Sequence, residues 1–169
     1  MADDATEEIM ALYSAFYGEI FAYCCYRLFR KDVAADATAE VFVRLVEEYG
    51  KLRDQGKVAI RKWLYGTASN AAFRYVRDSR RQMLIFDAVA SETWAATPAI
   101  GVNRLDWPIL YQAIGKLKPQ LQEIIIMRFF QGMETHVIAE ILDLNHSTVR
   151  SHLLRAVKKL KQELKGSFE

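Results

Sequence analysis

From residue 82 to residue 104 the apolar periodicity that governs the rest of this chain stops. Ser91, Thr93, Thr97, Pro98, Gly101 and Asn103 cluster there, and no repeating apolar face runs through them. Such a segment contributes no stripe to a packed core, so the sequence on either side has to bury its own apolar residues. The pattern predicts two small domains, residues 1–81 and 105–169, joined by a flexible linker over 82–104. Within that linker Ile85, Phe86 and Trp94 are the residues able to dock on a domain surface.

Both flanks read as helix. Glycine is infrequent, proline occurs three times, and no stretch sustains the period-two alternation of a strand, so the expected fold class is all-α. A first helix is expected from about Thr6 to Arg30, with Asp4 and Glu7 as a capping box and Ile9, Leu12, Phe16, Ile20 and Tyr23 at helical spacing. Asp32 is placed to cap a second helix, with Val33, Ala37, Val41, Leu45 and Tyr49 on its inner face and Gly50 as a left-handed stop. A third runs from about Ile60 to Arg81, and the three are expected to pack as one bundle. The second domain reads as four helices. Leu110, Ile114 and Leu117 mark the first. Pro119 suits the opening turn of the next, which carries Ile124, Ile125, Met127 and Phe129 and stops at Gly132. Helices from about Thr135 to Leu142 and Ser147 to Lys165 complete it.

The 51% apolar and 26% charged residues are those of a globular protein, and no apolar run approaches the roughly 20 residues that span a bilayer. The acidic start, Met1 to Glu8, lacks the basic residues of a secretory signal, and a cytoplasmic protein without membrane insertion is expected. Cys24 and Cys25 are adjacent within an apolar pattern, which suits two small core residues better than a disulfide or a metal site. The net charge of +2 conceals a strong segregation. Residues 1–60 carry 7 basic and 11 acidic side chains, 61–81 carry 6 and 1, 82–145 carry 4 and 7, and 146–169 carry 6 and 2. Two basic blocks separated by acidic ones suggest two contact points on a polyanion, although either alone is also consistent with a solvated helix face.

Thr135 to Leu160 has the pattern of a helix-turn-helix. Ile138, Ala139 and Leu142 form the inner face of its first helix, with Ala139 small enough for a close crossing. Leu144 plugs the turn, and Asn145 or Ser147 can cap the next helix. Val149, Leu153, Ala156 or Val157, Leu160 and Leu164 make its apolar stripe. The opposite face carries Ser147, Arg150, Ser151, Leu154, Arg155 and Lys158. Arg150 can donate two hydrogen bonds to a guanine, whereas Arg155, Lys158, Lys159 and Lys161 suit phosphates. A plain helical hairpin shares the apolar pattern, so the motif points to DNA binding more firmly than to a biological role. Asp143 stands where such turns often use glycine.

Together the two halves resemble the extracytoplasmic-function sigma factors of the sigma-70 family. DVAADATAEVFVRLVEEY (Asp32 to Tyr49) is similar to the segment that docks on the coiled coil of the polymerase β′ subunit, with Asp36, Glu40, Phe42 and Arg44 at matching positions. IRKWLYGTASNAAFRYVRDSRR (Ile60 to Arg81) resembles the segment that opens and reads the −10 element, with Trp63, Leu64, Ala68, Asn70 and Ala72 matching. AIGKLKPQLQEIIIMRFFQGM and IAEILDLNHSTVRSHLLRAVKKLK are similar to the −35-binding domain, whose contacts fall on Arg150, Ser151, Leu154 and Arg155. Gly66 and Ser69 stand where the family often has basic residues, Ala39 where glutamine is usual, and Glu134 where a capping serine is usual. Fewer cations near the −10 contact weaken phosphate affinity and leave independent promoter opening undecided.

The resemblance implies a promoter-specificity subunit that binds core RNA polymerase through β′ and β, recognises promoter DNA, and is open to control by an anti-sigma or recruiting protein. Capture of a single strand needs cations and a surface that holds an unstacked base. Asn70, Arg74, Arg77 and Arg81 lie four, three and four residues apart on one helix face. Tyr65, Phe73 and Tyr75 are the stacking candidates, while Trp63 suits an anchor in the bundle. On the docking segment Asp36 and Glu40 would meet basic side chains and Phe42 would supply buried area. No enzymatic role, cofactor or metal is expected. The chain has no phosphate-cradling glycine loop, and His146 and His152 do not share a helix face with each other, which disfavours a zinc site with His136. Two other readings stay open at this point. One is a helix-turn-helix regulator that binds palindromic DNA without polymerase, and the other an adapter that docks on polymerase but does not melt promoters.

Overall fold

Ile20, Tyr23, Val41, Leu45 and Leu64 are almost wholly removed from solvent, and they come from three different helices. These are α1 (Ala2–Leu28), α2 (Lys31–Leu52) and α3 (Gly56–Ser79) of a computed structural model that describes residues 2–79 and 107–167. Each helix packs on both of the others, as a three-helix bundle requires. Ala34, Ala37, Ala68 and Ala72 are buried at the crossings, where their small side chains let the backbones approach. Tyr23 and Tyr65 meet edge to face at 5.3 Å, and the buried Thr38 hydroxyl donates to the Ala34 carbonyl at 2.7 Å. Burying each large apolar side chain contributes about 1.5–3 kcal/mol. Cys24 and Cys25 are buried free thiols, and burial pushes both up to about 11, so neither is a thiolate at neutral pH.

The ends of these helices differ from the expected ones. α1 starts at Ala2, so Asp4 and Glu7 lie within it and form no capping box. Asp32 is not the cap of α2 either. Arg30, extended at φ −135°, takes that position, and its guanidinium binds the Asp32 carboxylate at 2.6 and 3.2 Å. This bond holds the Asp32 carboxyl below its ordinary range. Gly50 stops nothing, because α2 continues until Leu52 has reached the core. The left-handed glycine is Gly56 (φ 83°), after a 3-10 turn at Arg53–Gln55. Val33 and Tyr75 are half-buried at the margins of their stripes.

The second unit contains α4 (Trp107–Gly115), α5 (Pro119–Ile125) leading into a π-helical turn (Ile126–Phe130), α6 (Thr135–Leu142) and α7 (His146–Ser167). Ile124 to Met127 are four successive buried residues, a complete turn of helix, because α5 is surrounded by its neighbours. α7 packs against α4, α5 and α6, and the π turn packs against α6. The Gln131 N–H bonds the Ile126 carbonyl at 3.0 Å, and this wider turn faces Phe130 inward. Phe129, expected on the apolar face, is exposed in consequence. Gly132 (φ 66°) ends the helix as expected. The Gln122 amide donates to the carbonyls of Gly115 and Leu117 at 3.2 and 2.9 Å, which satisfies the end of α4.

No strand occurs among the described residues. The fold is all-α, with two small helical domains and a helix-turn-helix in the second. The chain divides into units at residues 1–90 and 91–169. The expected linker, 82–104, and with it Ile85, Phe86 and Trp94, lies outside the described residues, as does Arg81.

Candidate nucleic-acid and polymerase interfaces

The turn between α6 and α7 depends on one left-handed residue. Asp143 adopts φ 56° and ψ 44°, its N–H points at the Glu140 carbonyl, and the Leu144 N–H closes on the Ala139 carbonyl at 2.9 Å. These are the two bonds of a Schellman ending with aspartate in the usual glycine position. A left-handed L-residue costs about 1–2 kcal/mol. Half-buried Leu144 supplies the apolar contact that accompanies this ending. The Asn145 carbonyl accepts the Val149 N–H at 3.1 Å, so Asn145 precedes α7 and Ser147 lies within its first turn. Thr135 Oγ1 and His146 Nε2, 2.5 Å apart, tie the start of α6 to the start of α7.

α7 separates its faces cleanly. Val149, Ala156 and Leu160 are buried, with Leu153, Val157 and Leu164 half-buried beside them. Ser147, Arg150, Ser151, Leu154, Arg155 and Lys158 are all exposed, Leu154 at 75%. Ser151 Oγ currently donates to the Thr148 carbonyl at 3.0 Å. Glu163 is the one carboxylate of α7, and it binds Lys116 of α4 at 2.6 Å. Among the described residues, no carboxylate lies within ion-pair distance of Arg150, Arg155, Lys158, Lys159 or Lys161. Their positive charge is available to a ligand.

The outward face of α3 is differently furnished. Asn70 and Arg77 are exposed, and Arg77 Nε lies 3.5 Å from Asp78. Arg74 is half-buried and bonded to Glu40 of α2. Tyr65 is not on this face. It is only 1% exposed, its ring packs on Tyr23, and its hydroxyl donates to Glu19 at 2.7 Å, a carboxylate also held by Arg61. Its ring therefore has no face to offer a base. Phe73, 48% exposed between Asn70 and Arg77, is the accessible aromatic of the three candidates, whereas Tyr75 is half-buried. Trp63 is also half-buried, and Gly66 is exposed.

On α2, Asp36 and Arg44 are exposed and Glu40 is half-buried between Arg74 and Arg44, the latter at 3.5 Å. Phe42 is only 7% exposed. Tyr13 and Tyr17 of α1 cover it at 4.9 and 5.9 Å, so it has little area left for a partner. The outward apolar surface is instead Val43 and Val46, more than half exposed, with Ala39 beside them. Sequence reasoning missed this strip. Its signal is the spacing of Ala39, Val43 and Val46, which forms a second apolar stripe opposite Ala37, Val41 and Leu45. No helix among the described residues is long and apolar enough to cross a membrane.

Comparison with known proteins accounts for both units. Residues 12–82 match the family model for sigma-70 region 2, and residues 108–160 the model for sigma-70 region 4. The RNA polymerase sigma factor YlaC of Bacillus subtilis (strain 168) is 30% identical over 167 residues, covering 96% of this chain and 95% of that one. The ECF RNA polymerase sigma factor BldN of Streptomyces coelicolor is 27% identical over 152 residues, which cover 88% of this chain, and the match spans 57% of BldN. Among solved structures, CnrH in complex with the cytosolic domain of CnrY shares the fold with a TM-score of 0.62, at 22% identity over 98% of this chain and 94% of that one. The sigma factor RpoE of Bartonella quintana, in complex with the anti-sigma factor NepR, does so with a TM-score of 0.60, at 18% identity over 96% and 97%. With both conserved regions present in order and a relative matched end to end, this chain belongs to the sigma-70 family of RNA polymerase sigma factors, in its extracytoplasmic-function group.

Proposed function

We propose that this protein directs core RNA polymerase to promoters by offering separate helices to the −35 duplex, the −10 strand and the polymerase. α7 enters the −35 major groove. Arg150 reads a guanine edge there, Ser147, Ser151 and Leu154 lie against neighbouring bases, and Arg155 and Lys158 hold phosphates. The observation that carries this reading is the row of exposed cations on α7 with no acidic partner among the described residues.

α3 holds the displaced −10 strand, with Asn70 at a base edge, Phe73 as the stacking surface, and Arg74 and Arg77 at phosphates. Of the three stacking candidates Phe73 takes the role, and the buried Tyr65 is withdrawn from it. Polymerase docks on α2, where Asp36, Glu40 and Arg44 supply charge and Val43 and Val46 supply apolar area in place of Phe42. The work is binding rather than catalysis, it requires no cofactor, and it belongs to the cytoplasm. The anti-sigma complex of RpoE and the CnrY complex of CnrH support a protein antagonist as a further partner of this chain. Membership of the sigma family favours this function over a regulator acting without polymerase.

Reconstitution tests it directly. Purified core polymerase with this protein is expected to initiate at defined sites on genomic fragments that core alone ignores, and failure to initiate on any fragment contradicts the proposal.

A further inference from the structure

Glu40 belongs to two neighbourhoods at once. It lies on α2 one helical turn from Asp36, on the face proposed above for polymerase. Its carboxylate is also bonded to Arg74 of α3, and the Arg44 guanidinium stands 3.5 Å away. One carboxylate thus draws two guanidiniums together. Arg74 follows Asn70 by four residues and precedes Arg77 by three, so it belongs to the proposed strand-binding face, yet in the free protein its charge is spent inside the molecule. The neighbouring Tyr75 phenol is held above its ordinary value by burial and then by the charges of Glu40 and Asp36, which locates both carboxylates beside α3.

We infer that Glu40 is a charge gate: it neutralises Arg74 in the free protein, and a cationic side chain of docked polymerase takes its carboxylate and releases Arg74 to a phosphate of the −10 strand. The gate rests on the proposed roles of α2 and α3. It can operate because a partly exposed ion pair is weak, so exchange of one cation for another requires little driving force. Its consequence is order: the α3 surface gains a phosphate contact only after polymerase has bound, which keeps the isolated chain from occupying single strands elsewhere.

Binding of a fluorescein-labelled oligo-deoxythymidine strand to the whole chain without polymerase, as a function of salt, reads the gate. Glu40→Gln is expected to tighten binding roughly three- to fivefold at low salt and to steepen the salt slope by about 0.7, the increment for one more phosphate contact on a single strand. Arg74→Gln is expected to cancel the gain in the Glu40→Gln background and to cost less affinity in the wild-type background than in that one. An unchanged affinity in Glu40→Gln, or an equal loss from Arg74→Gln in both backgrounds, overturns the gate. Arg77→Gln separates the gate from the surface. If Arg77→Gln weakens strand binding while Glu40→Gln does nothing, the gate alone falls. If Arg77→Gln also does nothing, the α3 surface falls with it. Should Glu40→Gln fail to fold, Arg74→Gln alone decides the matter. The gate requires that it weaken promoter opening by the complete polymerase by a larger factor than strand binding by the free chain, and an equal effect on both overturns it.

Discussion

α7 and α3 are both basic helices, yet they present their charge in opposite ways. In sequence the block containing α3 is the richer, with 6 basic and 1 acidic residue over 61–81 against 6 and 2 over 146–169. In the fold the order reverses. Arg61 is bonded to Glu19, Arg74 to Glu40, and Arg77 lies beside Asp78. The cations of α7 meet no carboxylate among the described residues, because its Glu163 is turned to Lys116. Charge counted along a chain and charge available to a ligand are therefore different quantities. The second is set by which helix packs alongside. On the roles proposed here, α7 would meet DNA unaided, whereas α3 would reach it by way of the helix proposed to dock polymerase.

The largest expected effect is at Arg150. Its replacement by alanine would remove the proposed bidentate base contact, worth about 1–3 kcal/mol, so holoenzyme affinity for a cognate −35 duplex should fall roughly 5- to 150-fold with little change on a scrambled duplex. An equal loss on both sequences would reduce Arg150 to a phosphate contact. Tyr65→Phe sharpens the other side of the comparison. Loss of the bond to Glu19 should destabilise the first unit by about 1.5–3 kcal/mol in a urea titration while strand binding by the folded protein stays unchanged. A strand-binding defect without loss of stability would return Tyr65 to the nucleic-acid face. Lys158→Gln should lower the salt slope of duplex binding by about 0.9 with no change in sequence preference, as expected for one phosphate contact on duplex DNA. The smallest effect is expected at Asp143. Glycine there relieves left-handed strain but adds freedom to the unfolded chain, for a net gain of about 0.5 kcal/mol read as a small rise in melting temperature. A drop would mean that the Asp143 side chain contributes more to the turn than its backbone geometry indicates.

Much of this was legible in the sequence, and the exceptions have a common origin. The faces of α7 followed directly from its period, because one strong stripe lies opposite one polar face, and packing had only to choose Ala156 over Val157 for the buried position. Tyr65 and Phe73 could not be told apart in the same way. Both are aromatics on one helix, and what buries Tyr65 is Tyr23 together with Glu19, which is 46 residues away in sequence. Phe42 was expected to offer area to a partner, and the exposed residue is its neighbour Val43, for a related reason. One residue is a rotation of about 100° on a helix, and the tyrosines of α1 decide which side of the boundary is covered. Phe129 was displaced by the π turn, which no 3.6-residue period anticipates. Gly50 and Gly56 are equally plausible helix stops from composition, and only the need to bury Leu52 selects the later one. Local pattern thus identified the elements and the exposed cationic face of α7, while long-range packing decided which residues of α3 and α2 are reachable.

The contrast between the two helices is most directly tested by measuring the affinity of the isolated chain for cognate −35 duplex and for −10 single strand, with and without core polymerase, across a salt series. The structure predicts salt-sensitive duplex binding by the isolated chain, weak single-strand binding, and a marked rise in the latter alone when core is added. An isolated chain that holds the single strand as tightly as the duplex would contradict it.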